Sequence, residues 1–212
     1  MIVGRDCIGG AKTGSGKTIA FAAPILQKWS QDPYGIFALV LTPTRYVLNT
    51  GLSSDLSREL AMQIADQFLA LGASVSLKLT LVVGGTSQLT QAVSLAHRPH
   101  IVVATPGRLA DQIMSSSGDD VKGGFKRCKV LVLDEADRLL EPSFADDLTV
   151  CMDALPKASQ GRQTLLFTAT VTDELRAIAA RPPRLGQKPP FLTEVNAETY
   201  PPKSPNKFQN PI

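Results

Sequence analysis

Between a short apolar run, Cys7-Ile8, and a helical pattern carried by Ile19, Phe21, Ala22, Ile25 and Leu26, the chain makes a glycine-rich turn, Gly10-Ala11-Lys12-Thr13-Gly14-Ser15-Gly16-Lys17-Thr18. A strand, a tight turn and a helix in that order form a cradle for phosphate groups. Gly14 and Gly16 let backbone N–H groups approach a polyphosphate closely, Lys17 reaches its outer oxygens and the Thr18 hydroxyl suits Mg²⁺. The amino terminus of the following helix adds a partial positive charge. A flexible Gly/Ser linker is the plain alternative, but it leaves the Lys-Thr pair at the turn exit unexplained.

Downstream, continuous apolar runs alternate with helical patterns. Runs at 36–41, 77–83, 101–104, 130–133 and 164–167 read as strands, and patterns at 60–71, 89–96, 109–114, 144–155 and 175–180 as helices. Strands without polar interruption, separated by helices, imply a doubly wound parallel sheet covered on both faces, with ligands at the carboxyl ends of the strands. At 212 residues and 43% apolar content the chain can bury one substantial core, and the pattern favours a single domain. A net charge of +3 is too small to announce a nucleic-acid binder, so such a site has to be argued locally. Cys7, Cys128 and Cys151 are far apart with no C-x-x-C pair, and read as reduced core residues of an intracellular protein. No secretory pattern or apolar stretch of about 18 residues is present, so a soluble cytosolic or nuclear protein is expected, with no membrane partner.

Two adjacent carboxylates, Asp134 and Glu135, follow the run ending at Leu133. Where a buried strand meets the ligand face, Asp134 suits Mg²⁺ and Glu135 suits orienting a water against a γ-phosphate. A solvated helix start, which also favours acids, is the bland reading. Thr105-Pro106 reads as a helix N-cap with proline at the first helical position, leaving backbone N–H groups and Arg108 for a phosphate.

These residues, with Ala11 to Thr18, Pro43-Thr44-Arg45, Gly84-Gly85, Thr105-Pro106-Gly107-Arg108, Asp134-Glu135-Ala136-Asp137 and Thr168-Ala169-Thr170 in order, resemble the first RecA-like domain of DEAD-box RNA helicases. The resemblance covers nearly everything from Gly4 to Asn196 and implies ATP and Mg²⁺ as cofactors and ATP-driven local unwinding of RNA. It implies that Lys17, Asp134 and Glu135 are catalytic and that Pro43, Thr44, Arg45, Gly84, Gly85, Thr105, Pro106, Gly107 and Arg108 contact RNA. It further implies that Thr168 and Thr170, with Asp137 as partner, couple hydrolysis to RNA release. Thr168 stands where the family usually has serine. Gly4 to Gly10, Asp32 to Leu39 and Arg98-Pro99-His100 resemble the nucleolar members of small-subunit ribosome assembly, which implies pre-ribosomal RNA, a helicase-activating protein and a monomer in the nucleus and nucleolus.

Three departures stand out. The residues before Ala11 hold no counterpart of the family's adenine-reading aromatic and glutamine, and no second RecA-like domain with its H-R-x-G-R-x-x-R motif follows. The isolated chain is therefore expected to hydrolyse ATP negligibly; a non-catalytic fragment that binds RNA or a partner is the rival reading, and a nucleotide kinase or transporter ATPase a remoter one. The third departure is an insertion, residues 46–58, after which Glu59-Leu60-Ala61 resumes the family's P-T-R-E-L-A phrase with a helix expected from about Arg58. Permitted codons at Arg45-Tyr46-Val47 and Arg58 match splice boundaries, so the segment reads as a translated, unspliced intron, with a genuine loop as the alternative. From Arg181 the proline-rich end reads as an exposed, largely unstructured extension, and 197–212 as a disordered tail.

Overall fold

A computed structural model describes residues 4–44, 53–115, 118–183 and 189–195. Its strands are β1 (Cys7–Ala11), β2 (Ala38–Leu41), β3 (Leu79–Val82), β4 (Ile101–Ala104), β5 (Val130–Asp134), β6 (Gln163–Thr168) and β7 (Phe191–Val195). They form one parallel sheet in the order β3-β4-β2-β5-β6-β1-β7. The continuous apolar runs are what such a sheet requires, because successive residues face opposite helical layers. In β2, Leu39 and Leu41 enter one apolar cluster, and Ala38 and Val40 enter the other.

Helices α1 (Lys17–Gln31) and α2 (Ser53–Leu71) cover one face, burying Phe21, Ile25, Trp29, Ile64 and Phe68. Phe21 sits with its ring centroid 5.2 Å from Phe167 and 6.0 Å from Phe68. The three rings tie both helices to β6, each pair adding about 0.5–1.5 kcal/mol beyond area burial. The other face is covered by α3 (Gln88–Ala96), α4 (Pro106–Met114), α5 (Gly118–Phe125), α6 (Ala136–Leu139), α7 (Ala145–Asp153) and α8 (Asp173–Ala180), through Leu95, Leu109, Phe125, Leu139, Cys151 and Leu175. The doubly wound α/β fold expected from the sequence is the fold observed. Among the described residues no helix is long and apolar enough to cross a membrane, and the three cysteines are buried and unbridged.

Three local features differ from the sequence reading or add to it. The helix expected from about Arg58 begins at Ser53, so the end of the 46–58 segment is helical. No glycine or proline interrupts 53–71, and serine and aspartate suit a helix start. α5 carries three glycines, which dilute its pattern, yet Val121 and Phe125 are buried one turn apart, and a Cβ on Gly124 would stand 3.2 Å from Ile36. The largely unstructured end expected beyond Arg181 contains one strand: β7 lies along the open edge of β1, with the Phe191 N–H donating to Asp6 O at 2.8 Å and the Arg5 guanidinium donating to Pro189 O at 2.8 and 3.2 Å. Arg45, residues 46–52 and the tail 197–212 lie outside the described residues.

Candidate functional site

Because every strand is parallel, all carboxyl ends meet one rim of the sheet. Register aligns them. Gly10 stands beside Thr168, and Phe167 beside Asp134, so the phosphate turn, the acidic pair and Thr168-Ala169-Thr170 leave three neighbouring strands.

The turn closes with the Ser15 N–H donating to Lys12 O at 3.2 Å. Gly14 and Gly16 have φ of 79° and 85°, the left-handed region in which an L side chain is strained. No atom lies within 4 Å of where either would carry a Cβ, leaving open space over the loop for an anion. Lys12, Thr13 and Ser15 are exposed and Thr18 is half-buried in the first turn of α1. Lys17 Nζ donates to Ala11 O at 2.5 Å, so its ammonium folds back across the loop. Gly9, to which the sequence reading gave no site role, and Gly10, which opens the turn, are closely packed. A Cβ on Gly9 would come within 2.8 Å of the Phe167 ring, and one on Gly10 would overlap Val171.

Asp134 is buried at the end of β5, and Glu135, at φ 53° and ψ 51°, turns the chain sharply into α6. A non-glycine residue held in that region signals a backbone fixed by its surroundings. Thr168 is fully buried; its Oγ1 donates to Thr170 O at 2.7 Å and accepts from the Thr170 N–H at 3.1 Å. The two threonines therefore close a ring on each other, and among the described residues neither hydrogen-bonds to Asp137, which lies in α6. The chemistry of the donors fits Mg²⁺. Thr18 and Asp134 offer a hydroxyl and a carboxylate oxygen, hard donors of the kind Mg²⁺ takes alongside phosphate oxygens and water.

On the other half of the rim, Leu41, Ala104 and Val82 are in register. The Thr42 N–H donates to Ala104 O at 3.0 Å and the Thr105 N–H to Val82 O at 3.1 Å. The residues just beyond converge: Thr44, Gly84, Thr105, Gly107 and Arg108 line a cleft of about 420 Å³. Thr105 caps α4 by position, with Pro106 at the first helical position, but its side chain makes no capping bond.

A family model described as DEAD/DEAH box helicase matches residues 1–53 and 57–178. The chain belongs to this family. The break in the match falls inside the segment read as an insertion. The DEAD/DEAH box domain is 59% identical over 195 residues to the ATP-dependent RNA helicase DBP8 of Meyerozyma guilliermondii, covering 92% of this chain and 42% of the relative. To the Candida albicans protein of that name it is 56% identical over 195 residues (92% and 41%), and to the Schizosaccharomyces pombe protein 55% over 198 residues (93% and 40%). The chain thus spans about two-fifths of the length of these relatives.

In this DEAD/DEAH box domain the far wall of the cleft comes from residues the sequence reading did not assign: Arg138, Glu141 and Asp147, with Asp111 from α4. Carboxylates and guanidinium groups face the same space. α3 also differs from its apparent pattern, for Leu89 is 75% and Val93 50% exposed while Gln91 is 5% exposed. Gln91 shares the buried face with Leu95, one turn on, and nothing in the spacing of this helix signals the buried amide.

Proposed function

We propose that the chain is the nucleotide- and RNA-binding domain of an ATP-dependent RNA helicase, with pre-ribosomal RNA in the nucleolus as its substrate. The observation that carries this reading is the division of one sheet rim. The phosphate turn, Asp134-Glu135 and Thr168-Thr170 occupy the ends of β1, β5 and β6, while Pro43-Thr44, Gly84-Gly85 and Thr105 to Arg108 occupy those of β2, β3 and β4. The ribosomal substrate, the nuclear setting, an activating protein and a monomeric state rest on the resemblance of Gly4 to Gly10, Asp32 to Leu39 and Arg98 to His100 to nucleolar helicases. Relatives named ATP-dependent RNA helicase DBP8 support the reaction class.

The roles follow from chemistry at each atom. Lys17 leaves the Ala11 carbonyl to meet the β- and γ-phosphates, which backbone N–H groups of Lys12 to Gly16 and the start of α1 also bind. Thr18 and Asp134 hold Mg²⁺, which supplies charge neutralisation when bound. Glu135 orients the attacking water, and Thr168 and Thr170 couple this centre to the RNA half. Pro43 to Arg45, Gly84-Gly85 and Thr105 to Arg108 meet the phosphodiester backbone, which gives binding without sequence preference.

Titrating a fluorescent ATP analogue and a single-stranded RNA on one preparation tests the reading. Lys17→Ala is expected to weaken the nucleotide at least about tenfold, the scale of one charge-assisted contact, with RNA affinity retained without nucleotide. A folded wild-type chain that binds neither ligand overturns the proposal.

A further inference from the structure

We propose that Gln91 is a positioning residue for RNA, locking Arg108 and the Val83 to Thr86 turn into one prearranged unit; this rests on the RNA-binding reading above. α3 buries a polar side chain at Gln91 while exposing Leu89 and Val93, an arrangement that costs stability unless the amide is satisfied. It is satisfied on both sides. Gln91 Nε2 donates to Val83 O at 2.8 Å and to Thr86 Oγ1, and Gln91 Oε1 accepts from Arg108 Nε at 2.9 Å. Reversing the amide would set its oxygen against the Val83 carbonyl and its NH₂ against the Arg108 N–H, so the network admits one orientation.

Arg108 Nη2 donates in turn to Thr86 O, and Gln112 Nε2 donates to Gln88 O at 2.9 Å. Two independent ties therefore hold the first turn of α3 and the Gly84-Gly85 turn against α4. A guanidinium carries five N–H groups. Two are taken by Gln91 and Thr86, and among the described residues the other three have no protein acceptor and remain for phosphate oxygens in the cleft that Arg108 lines. Because the side chain is already held, less of its rotamer freedom is lost when RNA binds. Gln91 touches no RNA in this scheme; it acts through Arg108 and the turn.

The test is RNA affinity as a function of salt for the wild type, Gln91→Leu, Arg108→Ala and the double variant, using a single-stranded oligouridine of about ten nucleotides. Gln91→Leu keeps the volume and removes the bonds. The expected result is an affinity about tenfold weaker and a log–log salt slope shallower by about 0.7, the share of one single-strand phosphate contact. ATP-analogue affinity is expected to stay at the wild-type value. The double variant is expected to bind no more weakly than Arg108→Ala alone, since residues acting as one unit are not additive. A wild-type slope in Gln91→Leu, or losses that add to those of Arg108→Ala, overturns the inference while leaving RNA binding intact. A wild-type chain without RNA affinity removes the reading on which it rests, and the inference with it. If Gln91→Leu does not fold, Thr86→Val, on an exposed turn, removes one arm of the network and should shift the slope in the same direction; an unchanged slope there also overturns the proposal.

Discussion

Asp147 lines the cleft that holds Arg108 and also sits in the first turn of α7, so one carboxylate serves two opposing purposes. Near a helix start it stabilises the fold by about 0.3–1 kcal/mol, while it repels an RNA phosphate by about 0.5 kcal/mol if they stand ~8 Å apart in water. Asp147→Asn is therefore expected to tighten RNA binding about two- to threefold while lowering thermal stability slightly, which fluorescence anisotropy and a melting curve together will show. His100 makes a separate, pH-linked prediction. Its Nδ1 accepts from the Lys78 N–H at 3.0 Å and its ring lies 4.5 Å from the Trp29 ring centroid. Burial, with the Lys78 ammonium adding to it, pushes the imidazole below its usual 6.5. The unfolded chain then takes up the proton first, so this contribution is complete above about pH 6.5 and is lost as pH falls toward the folded value. Melting temperatures from pH 7.5 to 5.5 should fall less in His100→Phe, which keeps the stacking and removes the titration. At this scale the phosphate turn is legible because its chemistry is contiguous in sequence. Gln91 is not, because its partners lie 5, 8 and 17 positions away and a polar side chain gives no apolar signal of burial.

Among the elements, β7 is the one whose existence the sequence conceals. Five residues between prolines and a polar stretch carry too short a pattern to read, and the pairing comes from β1 at the other end of the chain. The Arg176–Glu194 ion pair at 2.7 Å looks like its anchor, but the side chains are 51% and 32% exposed. Such pairs contribute about 0–1 kcal/mol, so the backbone ladder matters more. Glu194→Ala is expected to leave the urea midpoint nearly unchanged. Ending the chain after residue 183 should lower the midpoint clearly and promote self-association by size exclusion, since the uncovered β1 edge is a template for another strand. β1 itself depends on its glycines. With Val171 packed where a Cβ would stand, Gly10→Ala should cost about 1–3 kcal/mol of overpacking, measured by the same denaturation. The α2 boundary was misjudged for a related reason: local propensity carries the helix back to Ser53, past the point where family phrasing resumes.

For the molecule as a whole, the sheet order makes the β2–β5 ladder, with Leu41 beside Leu133, the seam between the strands that carry the candidate nucleotide site and those that carry the candidate RNA site. Continuous apolar runs made the layered architecture readable, whereas the cleft wall from Arg138, Glu141 and Asp147 is assembled only by tertiary packing. A cooperative core also governs the thiols. Burial raises all three, Cys128 and Cys151 to about 12, so thiolate is scarce at neutral pH. Native protein is expected to resist a chromogenic disulfide reagent at pH 8 and to react at three sites in denaturant, following global unfolding in step with circular dichroism. The common direction of the strands has a practical consequence for anchoring. Since both candidate sites occupy the rim where the strands end, the rim where they begin is available for tethering. With the native thiols silent, Ser74→Cys, on an exposed turn before β3, would let a biosensor surface hold every molecule the same way round, with nucleotide and RNA arriving from solution on the side away from the chip.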